Sequence, residues 1–169
     1  MTVSMYKISV PIFVQLLTAL SGVLDKAAAH AQENRIDPAF LLNMRLYPNM
    51  YPLARQVQQA TMHAARVCAG LAGVPPLDLP NVETSFAELK ARIAKTIDFL
   101  KRFTPGEIDG SEEKVIKLGE RQLPGQVMLL NRVFPHFYFH CTTAYDILRH
   151  CGVPLVKSDF MGAPVTLQG

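Results

Sequence analysis

Two of the five histidines are spaced in a way that suits metal binding. His136 and His140 are four residues apart in an apolar C-terminal segment, and His63 lies far upstream. On an α-helix, residues at i and i+4 share one face, with Cβ atoms about 5–6 Å apart, so both imidazoles can reach one ion. A third histidine from a facing helix would complete a three-ligand site with one open position, the layout of a catalytic zinc centre.

Helical geometry tests this hypothesis only in part. At about 100° per residue, His63 and His140 each lie about 100° from the centre of the apolar stripe of their helix, and His136 lies at about 140°. His63 and His140 are therefore expected at the edges of their stripes, and His136 closer to solvent. A second interpretation stays open, in which His63 and His136 are partly exposed and His140 is a hydrogen-bonded packing residue.

The cysteines offer a weaker route to chemistry. Cys68, Cys141 and Cys151 are odd in number and widely spaced, which matches neither a disulfide framework nor a zinc finger. We expect three reduced thiols in a cytoplasmic protein. Cys141 follows His140, but neighbouring residues of a helix point about 100° apart, which argues against an activated thiol. The sequence has no glycine-rich phosphate loop.

Composition favours a partner of the same kind. Hydrophobic residues make up 49% of the chain and charged residues 18%, which is apolar for a soluble monomer of 169 residues. Either the core is large or some apolar surface is covered, and a second copy of the chain covers it most simply. We therefore expect a homodimer with a largely apolar interface.

The charge pattern argues against nucleic-acid binding. The net charge is only +3, and lysines and arginines are scattered, with Lys101-Arg102 the densest pair. Nucleic-acid binding needs a basic stripe that displaces several counterions. We expect no nucleic-acid partner.

The N-terminal segment could be mistaken for a secretory signal. Residues 8–24 carry no formal charge and follow Lys7, but Pro11 and Gln15 interrupt the apolar run. A cleaved signal needs no helical face, whereas this segment has one. We expect a folded helix that stays on the protein and no membrane association. The face consists of Phe13, Leu16, Leu17, Leu20 and Leu24.

Four long helical patterns follow one another along the chain. They span about 11–31, 52–72, 86–104 and part of 126–151, separated by proline and glycine. Asp37-Pro38 predicts a cap and first residue of a short extra helix reaching Arg45, between the first two. Ser85 and Glu88 have the spacing of a capping box for the third.

The remaining segments are less regular. Residues 105–125 read as an irregular polar loop in which 115–118 could form a strand or hairpin, and the tail after Val153 reads as extended chain. Pro135 lies inside the last helical pattern, so that pattern is either kinked or split. Together these features predict one all-α domain over 1–169, an up-down four-helix bundle.

Two sets of residues resemble a known family over most of the chain, from residue 5 to about 162. The resemblance is to an uncharacterised family in the DinB/YfiT-like superfamily of four-helix bundles. The first set is Met5-Tyr6, Ser9-Val10-Pro11, Phe40-Leu41-Leu42-Asn43-Met44-Arg45-Leu46, Met50-Tyr51-Pro52-Leu53 and Gln56-Val57-Gln58; the second is Pro135, Phe137-Tyr138-Phe139-His140, Thr142-Thr143-Ala144-Tyr145, Ile147-Leu148-Arg149, Gly152-Val153-Pro154 and Lys157-Ser158-Asp159.

The resemblance implies a function as well as a fold. Many members of that superfamily bind a divalent metal through one histidine on the second long helix and a His-x-x-x-His pair on the last, and some use it in thiol-dependent transferase or isomerase chemistry. The matching positions here are His63, His136 and His140. The expectation is a site for Zn²⁺ or Ni²⁺ between helices 2 and 4 of a small-molecule or thiol transferase. The alternative is a non-catalytic homodimeric bundle that binds a small ligand or acts through its surface.

Overall fold

The structure is a computed structural model that describes residues 3–165. It is a predominantly helical bundle whose four long helices are α1, α3, α4 and α7, as the sequence predicts. A six-residue π-helical stretch, Met128–Val133, leads into α7 and is called the π segment. The elements are α1 Val10–Glu33, α2 Pro38–Asn43, α3 Leu53–Ala72, α4 Phe86–Leu100, α5 Pro105–Ile108, β1 Val115–Leu118, β2 Arg121–Pro124, α6 Gly125–Val127, the π segment Met128–Val133, α7 Phe134–His150 and α8 Lys157–Met161.

The apolar face of α1 forms one wall of the core. Phe13, Leu17 and Leu24 are fully buried, and the Phe13 ring lies 4.8 Å from that of Phe137 in an edge-to-face arrangement. Within residues 3–165, α1 is the one helix that is long and apolar enough to span a membrane by length and composition. Its burial against the other helices accounts for that composition.

The ends of α3 and α4 follow the signals in the sequence. At the end of α3, Gly73 adopts a left-handed conformation (φ 76°), and its N–H donates to carbonyls of the last turn, a geometry that glycine adopts without a Cβ clash. At the start of α4, the Ser85 hydroxyl accepts from the Glu88 N–H and the Glu88 carboxylate accepts from the Ser85 N–H. The predicted capping box is confirmed.

The interruption predicted at Pro135 takes the form of the π segment. The helical path is continuous from Gly125 to His150, so the proline does not separate two helices. Pro135 has no N–H, and its ring crowds the carbonyl four residues earlier. The wider π turn just before it gives the backbone another pairing, in which the Phe134 N–H donates to the Leu129 carbonyl five residues back.

Of the two less regular segments, the first forms the hairpin that its sequence left open, and the second differs from expectation. Residues 115–124 form an antiparallel hairpin in which Ile116 pairs with Leu123 and is buried. The tail, expected to be extended, contains α8, where Asp159 accepts from the Val156 N–H at 2.9 Å and binds Lys26 of α1 at 2.8 Å. A five-residue helix stabilised by such contacts leaves no periodic pattern in the sequence.

Gly125, at the start of the helical path that ends in α7, is tightly enclosed. A Cβ there would overlap the carbonyl oxygen of Ser111. We predict that Gly125→Ala lowers the free energy of unfolding by about 1–3 kcal/mol, because neighbouring backbone must shift. Gly106→Ala is the control, since nothing lies within 4 Å of its added Cβ, and it should be neutral or slightly stabilising. Urea unfolding followed by circular dichroism measures both; equal midpoints would contradict the prediction.

Candidate metal site

The packing of α3 on α7 brings the three predicted histidines together. His63 comes from α3, and His136 and His140 come from the first two turns of α7. The ring centroids are 4.8 Å apart for His63–His136, 5.7 Å for His63–His140 and 6.3 Å for His136–His140. One nitrogen from each ring can be chosen so that all three lie within 4.8 Å of one another.

This spacing is close to what a metal ion requires. A tetrahedral ion with Zn–N distances of about 2.0–2.1 Å places its nitrogen ligands about 3.3–3.4 Å apart. The nitrogen atoms must therefore approach one another by at most about 1.5 Å, which small side-chain rotations supply. His63 and His136 are only partly buried, so both rings have room to turn.

Hydrogen bonds determine which nitrogen of His140 is available. The Gln56 amide donates from Nε2 to the Tyr51 carbonyl at 3.0 Å, which turns its Oε1 toward His140. Because an amide oxygen only accepts, His140 Nδ1, 2.7 Å away, must carry the proton. The lone pair of neutral His140 is then on Nε2. A second hydrogen bond of this kind is usual for metal-binding histidines, since it fixes the tautomer and the ring orientation.

All three histidines are held in the neutral form that metals bind. Burial, reinforced by the neighbouring histidines, lowers the pKa of His63 to about 3 and that of His140 to about 4. The pKa of His136 is lowered as well, by burial and then by the Arg132 charge. Near neutral pH no proton competes strongly for these nitrogens.

The three histidines line an open cleft of about 660 Å³. The cleft walls are mainly apolar and aromatic, with a few amide groups, as is usual for small-molecule sites. No carboxylate, serine or cysteine belongs to its lining among residues 3–165. The lining residues are Asn49, Met50, Tyr51, Gln56, Gln59, His63, Pro135, His136, Phe139 and His140.

The cleft explains why His136 joins the cluster despite its angle from the core. His136 is more exposed than His140, as the helical angles predict, and His140 is only 7% exposed. The histidines meet in the cleft at the edge of the core and not in its centre, so an angle measured from the core stripe does not exclude His136. The alternative interpretation predicts the same burial pattern, so burial by itself does not distinguish the two.

Sequence reasoning missed the residue that orients His140. Gln56 lies seven residues before His63, two turns back on the same face of α3, and that spacing is the signal that points to it. The neighbouring Gln59, with its amide oxygen toward Arg55, accepts from Nη2 at 3.0 Å. Gln59 thereby connects the cleft wall to a guanidinium that also lies 5.6 Å from the Tyr51 ring.

Cys141 takes no part in the site. Its side chain is buried on the core side of α7, and burial raises the pKa of its thiol. A buried neutral thiol is a poor nucleophile, in agreement with the sequence-based expectation.

The family follows from comparison with known proteins. The profile of a domain of unknown function, DUF1993, matches residues 5–161. The chain belongs to the DUF1993 family. Its structure is similar to a crystal structure of a DinB family member protein from Shewanella denitrificans, with a TM-score of 0.90 and 34% identity over 96% of this chain and 95% of the other. This agrees with the DinB-like bundle predicted from the sequence. A comparison with curated proteins found no match.

The lowered pKa values predict how the metal-free protein responds to acid. An unfolded histidine has a pKa near 6.5, so below about pH 6.5 the unfolded state takes up protons. In the folded state His63 and His140 take up protons only at about pH 3–4, so acid favours the unfolded state. Stability should therefore be full above about pH 6.5 and decline as pH falls toward 4.

The test compares urea unfolding of metal-free wild type and His63→Gln between pH 7 and 5. The glutamine has no proton to gain, so the variant should lose less stability over this range. Carboxylates titrate alike in both proteins, which makes the difference specific. Parallel pH curves would contradict the lowered pKa of His63.

Proposed function

We propose that this DUF1993 protein binds a divalent metal ion through His63, His136 and His140, and that the cleft above them is the site of a small-molecule or thiol transferase. The observation that carries the proposal is the hydrogen-bonded chain from the Tyr51 carbonyl through Gln56 to His140. It leaves His140 Nε2 unprotonated beside two other neutral imidazoles. Neutral imidazole suits both Zn²⁺ and Ni²⁺.

The residues present fit such an ion. Three protein ligands from two helices leave a position free on the cleft side, as in catalytic zinc sites. When bound, the ion supplies Lewis acidity and lowers the pKa of a water or thiol that coordinates it. The side chains of the cleft then have binding roles: Tyr51 and Phe139 hold apolar groups and exclude water, and the Asn49 and Gln59 amides offer hydrogen bonds.

A second candidate function is a non-catalytic homodimer that binds a small ligand or acts through its surface. It is favoured by large apolar side chains that are 45–65% exposed around the extra helix, the following loop and the cleft wall. Three free thiols also fit a reducing, cytoplasmic location. The exposed side chains are Phe40, Leu46, Tyr47, Tyr51 and Phe139.

The metal proposal predicts one ion per chain. Protein expressed without a His tag, stripped with chelator and titrated with Zn²⁺ or Ni²⁺ in a calorimeter, should bind one equivalent. Replacing His63 or His140 by Ala should abolish this binding, and His136→Ala should do the same because its ring completes the set. His150→Ala, at the exposed end of α7, is the control and should bind like wild type. Retention of full Zn²⁺ affinity by all three cluster variants would contradict the proposal.

Gln56 provides a second test of the same site. Gln56→Ala should weaken Zn²⁺ binding by about 10–100-fold, because His140 loses the group that fixes its tautomer and orientation. Gln32→Ala, at an exposed position on α1, should have no effect. Unchanged affinity in Gln56→Ala would show that the hydrogen bond is structural only.

The homodimer is tested separately by sedimentation velocity. Wild type at tens of micromolar, where interfaces of micromolar affinity assemble, should sediment as a dimer of 18.7 kDa chains. Tyr47→Ser and Phe40→Ser should shift it toward monomer, whereas Val82→Ser, exposed in the linker before α4, should not. A monomer across this range would contradict the dimer and leave the metal proposal intact.

A further inference from the structure

Two arginines lie at the same end of the histidine cluster. His63 lies opposite His136, and Gln56 lies opposite His140, so α3 and α7 run antiparallel. Arg66 is one turn beyond His63 on α3, and Arg132 is one turn before His136 on the other helix. Both arginines therefore lie toward the His63–His136 end of the cluster, but neither lines the cleft. Arg66 is exposed and lines a separate cavity, and Arg132 belongs to the π segment before α7.

Arg132 is half-buried without a protein partner. No residue in 3–165 forms a hydrogen bond or ion pair with its guanidinium, which carries five N–H donors. Arg92 shows how the same chain treats a buried arginine that has a structural role. Arg92 binds the Glu83 carboxylate at 2.9 Å, the Thr61 hydroxyl at 2.7 Å and the Pro80 carbonyl at 2.7 Å.

The surroundings of the cluster are cationic. The charged groups other than histidine that lower the pKa of the cluster histidines are arginines: Arg132 acts on His63 and His136, Arg66 on His63 and Arg55 on His140. No carboxylate lines the cleft among the described residues. A divalent ion bound here would add to this positive charge, and no carboxylate in the described lining offsets it.

The opposite end of the cleft is aromatic. The Phe139 ring lies 5.4 Å from that of His140, and Tyr51 lies on the facing wall. Seven residues separate Arg132 from Phe139, which corresponds to about 10 Å along a helix at 1.5 Å per residue. Arg55 also lies at the aromatic end, over the Tyr51 ring, but Gln58 and Gln59 already accept from its guanidinium. A ligand that extends from the aromatic rings to Arg132 must be about 10 Å long, with its charge at the Arg132 end.

We propose that the cleft binds a small organic carboxylate whose charged end reaches Arg132, just beyond the His63–His136 end of the cleft, and whose apolar body lies against Tyr51 and Phe139. The half-buried guanidinium of Arg132 matches a carboxylate, which it can bind through two parallel hydrogen bonds. This assignment rests on the proposed function, because it gives the substrate class of the same cleft.

The test uses 4-phenylbutyrate, which has a carboxylate at one end and a phenyl ring at the other. Its total length is about 10 Å, which matches the axial distance from Arg132 to Phe139. Its neutral amide, 4-phenylbutanamide, is the matched probe. Calorimetry on Zn²⁺-treated wild type should show the acid binding at least about 10-fold more tightly than the amide, a preference in the range of a charge-assisted hydrogen bond. Raised salt should weaken binding of the acid and not of the amide.

Variants assign this preference to Arg132. Arg132→Gln should remove it while Zn²⁺ still binds, and Arg132→Lys should keep part of it, because charge remains without the planar fork. Arg149→Gln removes one charge from an exposed position on α7 and should behave as wild type. Equal binding of acid and amide to wild type, or an unchanged preference in Arg132→Gln, overturns the proposal.

The two proposals fail in different ways. If wild type binds no Zn²⁺, the metal proposal fails, and the same acid–amide comparison on metal-free protein decides the carboxylate proposal. If Zn²⁺ binds and the acid is not preferred, only the carboxylate proposal fails. Should Arg132→Gln not fold, as judged by circular dichroism, the acid–amide comparison on metal-free wild type decides: a preference that salt removes supports a cationic protein anchor, and no preference, or one that persists in salt, contradicts it.

Discussion

The hydrogen bond between Gln56 and His140 is the interaction on which the candidate site depends. It joins α3 to α7 inside a largely apolar contact and lies at the boundary between the core and the cleft. The bond is 2.7 Å long, and the Tyr51 carbonyl holds Gln56 in place. Together they fix the orientation and tautomer of the His140 ring and leave the lone pair of its Nε2 free. The other two histidines are arranged around that ring, and the loop that contains Tyr51 becomes part of the same unit.

Charge is the second constraint on the site. Burial keeps the imidazoles neutral, and the arginines around them add positive potential without an opposing carboxylate in the cleft. Positive surroundings disfavour the binding of a metal ion alone, because like charges repel. They favour binding of the ion together with an anion, because the anion offsets the charge of the ion, which is often the largest in a site. Metal and anionic ligand are therefore expected to strengthen each other's binding.

The sequence predicts those features that follow from local periodicity and caps. The four long helices, the Ser85–Glu88 capping box and the i, i+4 pair His136–His140 all arise from spacing along the chain. The convergence of His63 with that pair followed from the family resemblance, because a helix-to-helix contact leaves no local pattern.

The features that the sequence does not predict depend on tertiary contacts. The π segment before Pro135 is one of several ways to accommodate a proline, and α8 is stabilised by Lys26 of another helix. Gln56 and Arg132 were missed because their importance depends on tertiary contacts. Gln56 matters because it faces the His140 imidazole. Arg132 matters because it is half-buried without a protein partner within residues 3–165.

X-ray absorption spectroscopy of protein loaded with one equivalent of Zn²⁺ tests the central claim most directly. The account predicts a first shell of three imidazole nitrogens at about 2.0–2.1 Å, completed by a light oxygen or nitrogen ligand. Outer-shell scattering from the imidazole rings should accompany it. A sulfur ligand at about 2.3 Å would place the ion on a cysteine. That result, or a shell of oxygens without imidazole scattering, would contradict a site formed by His63, His136 and His140.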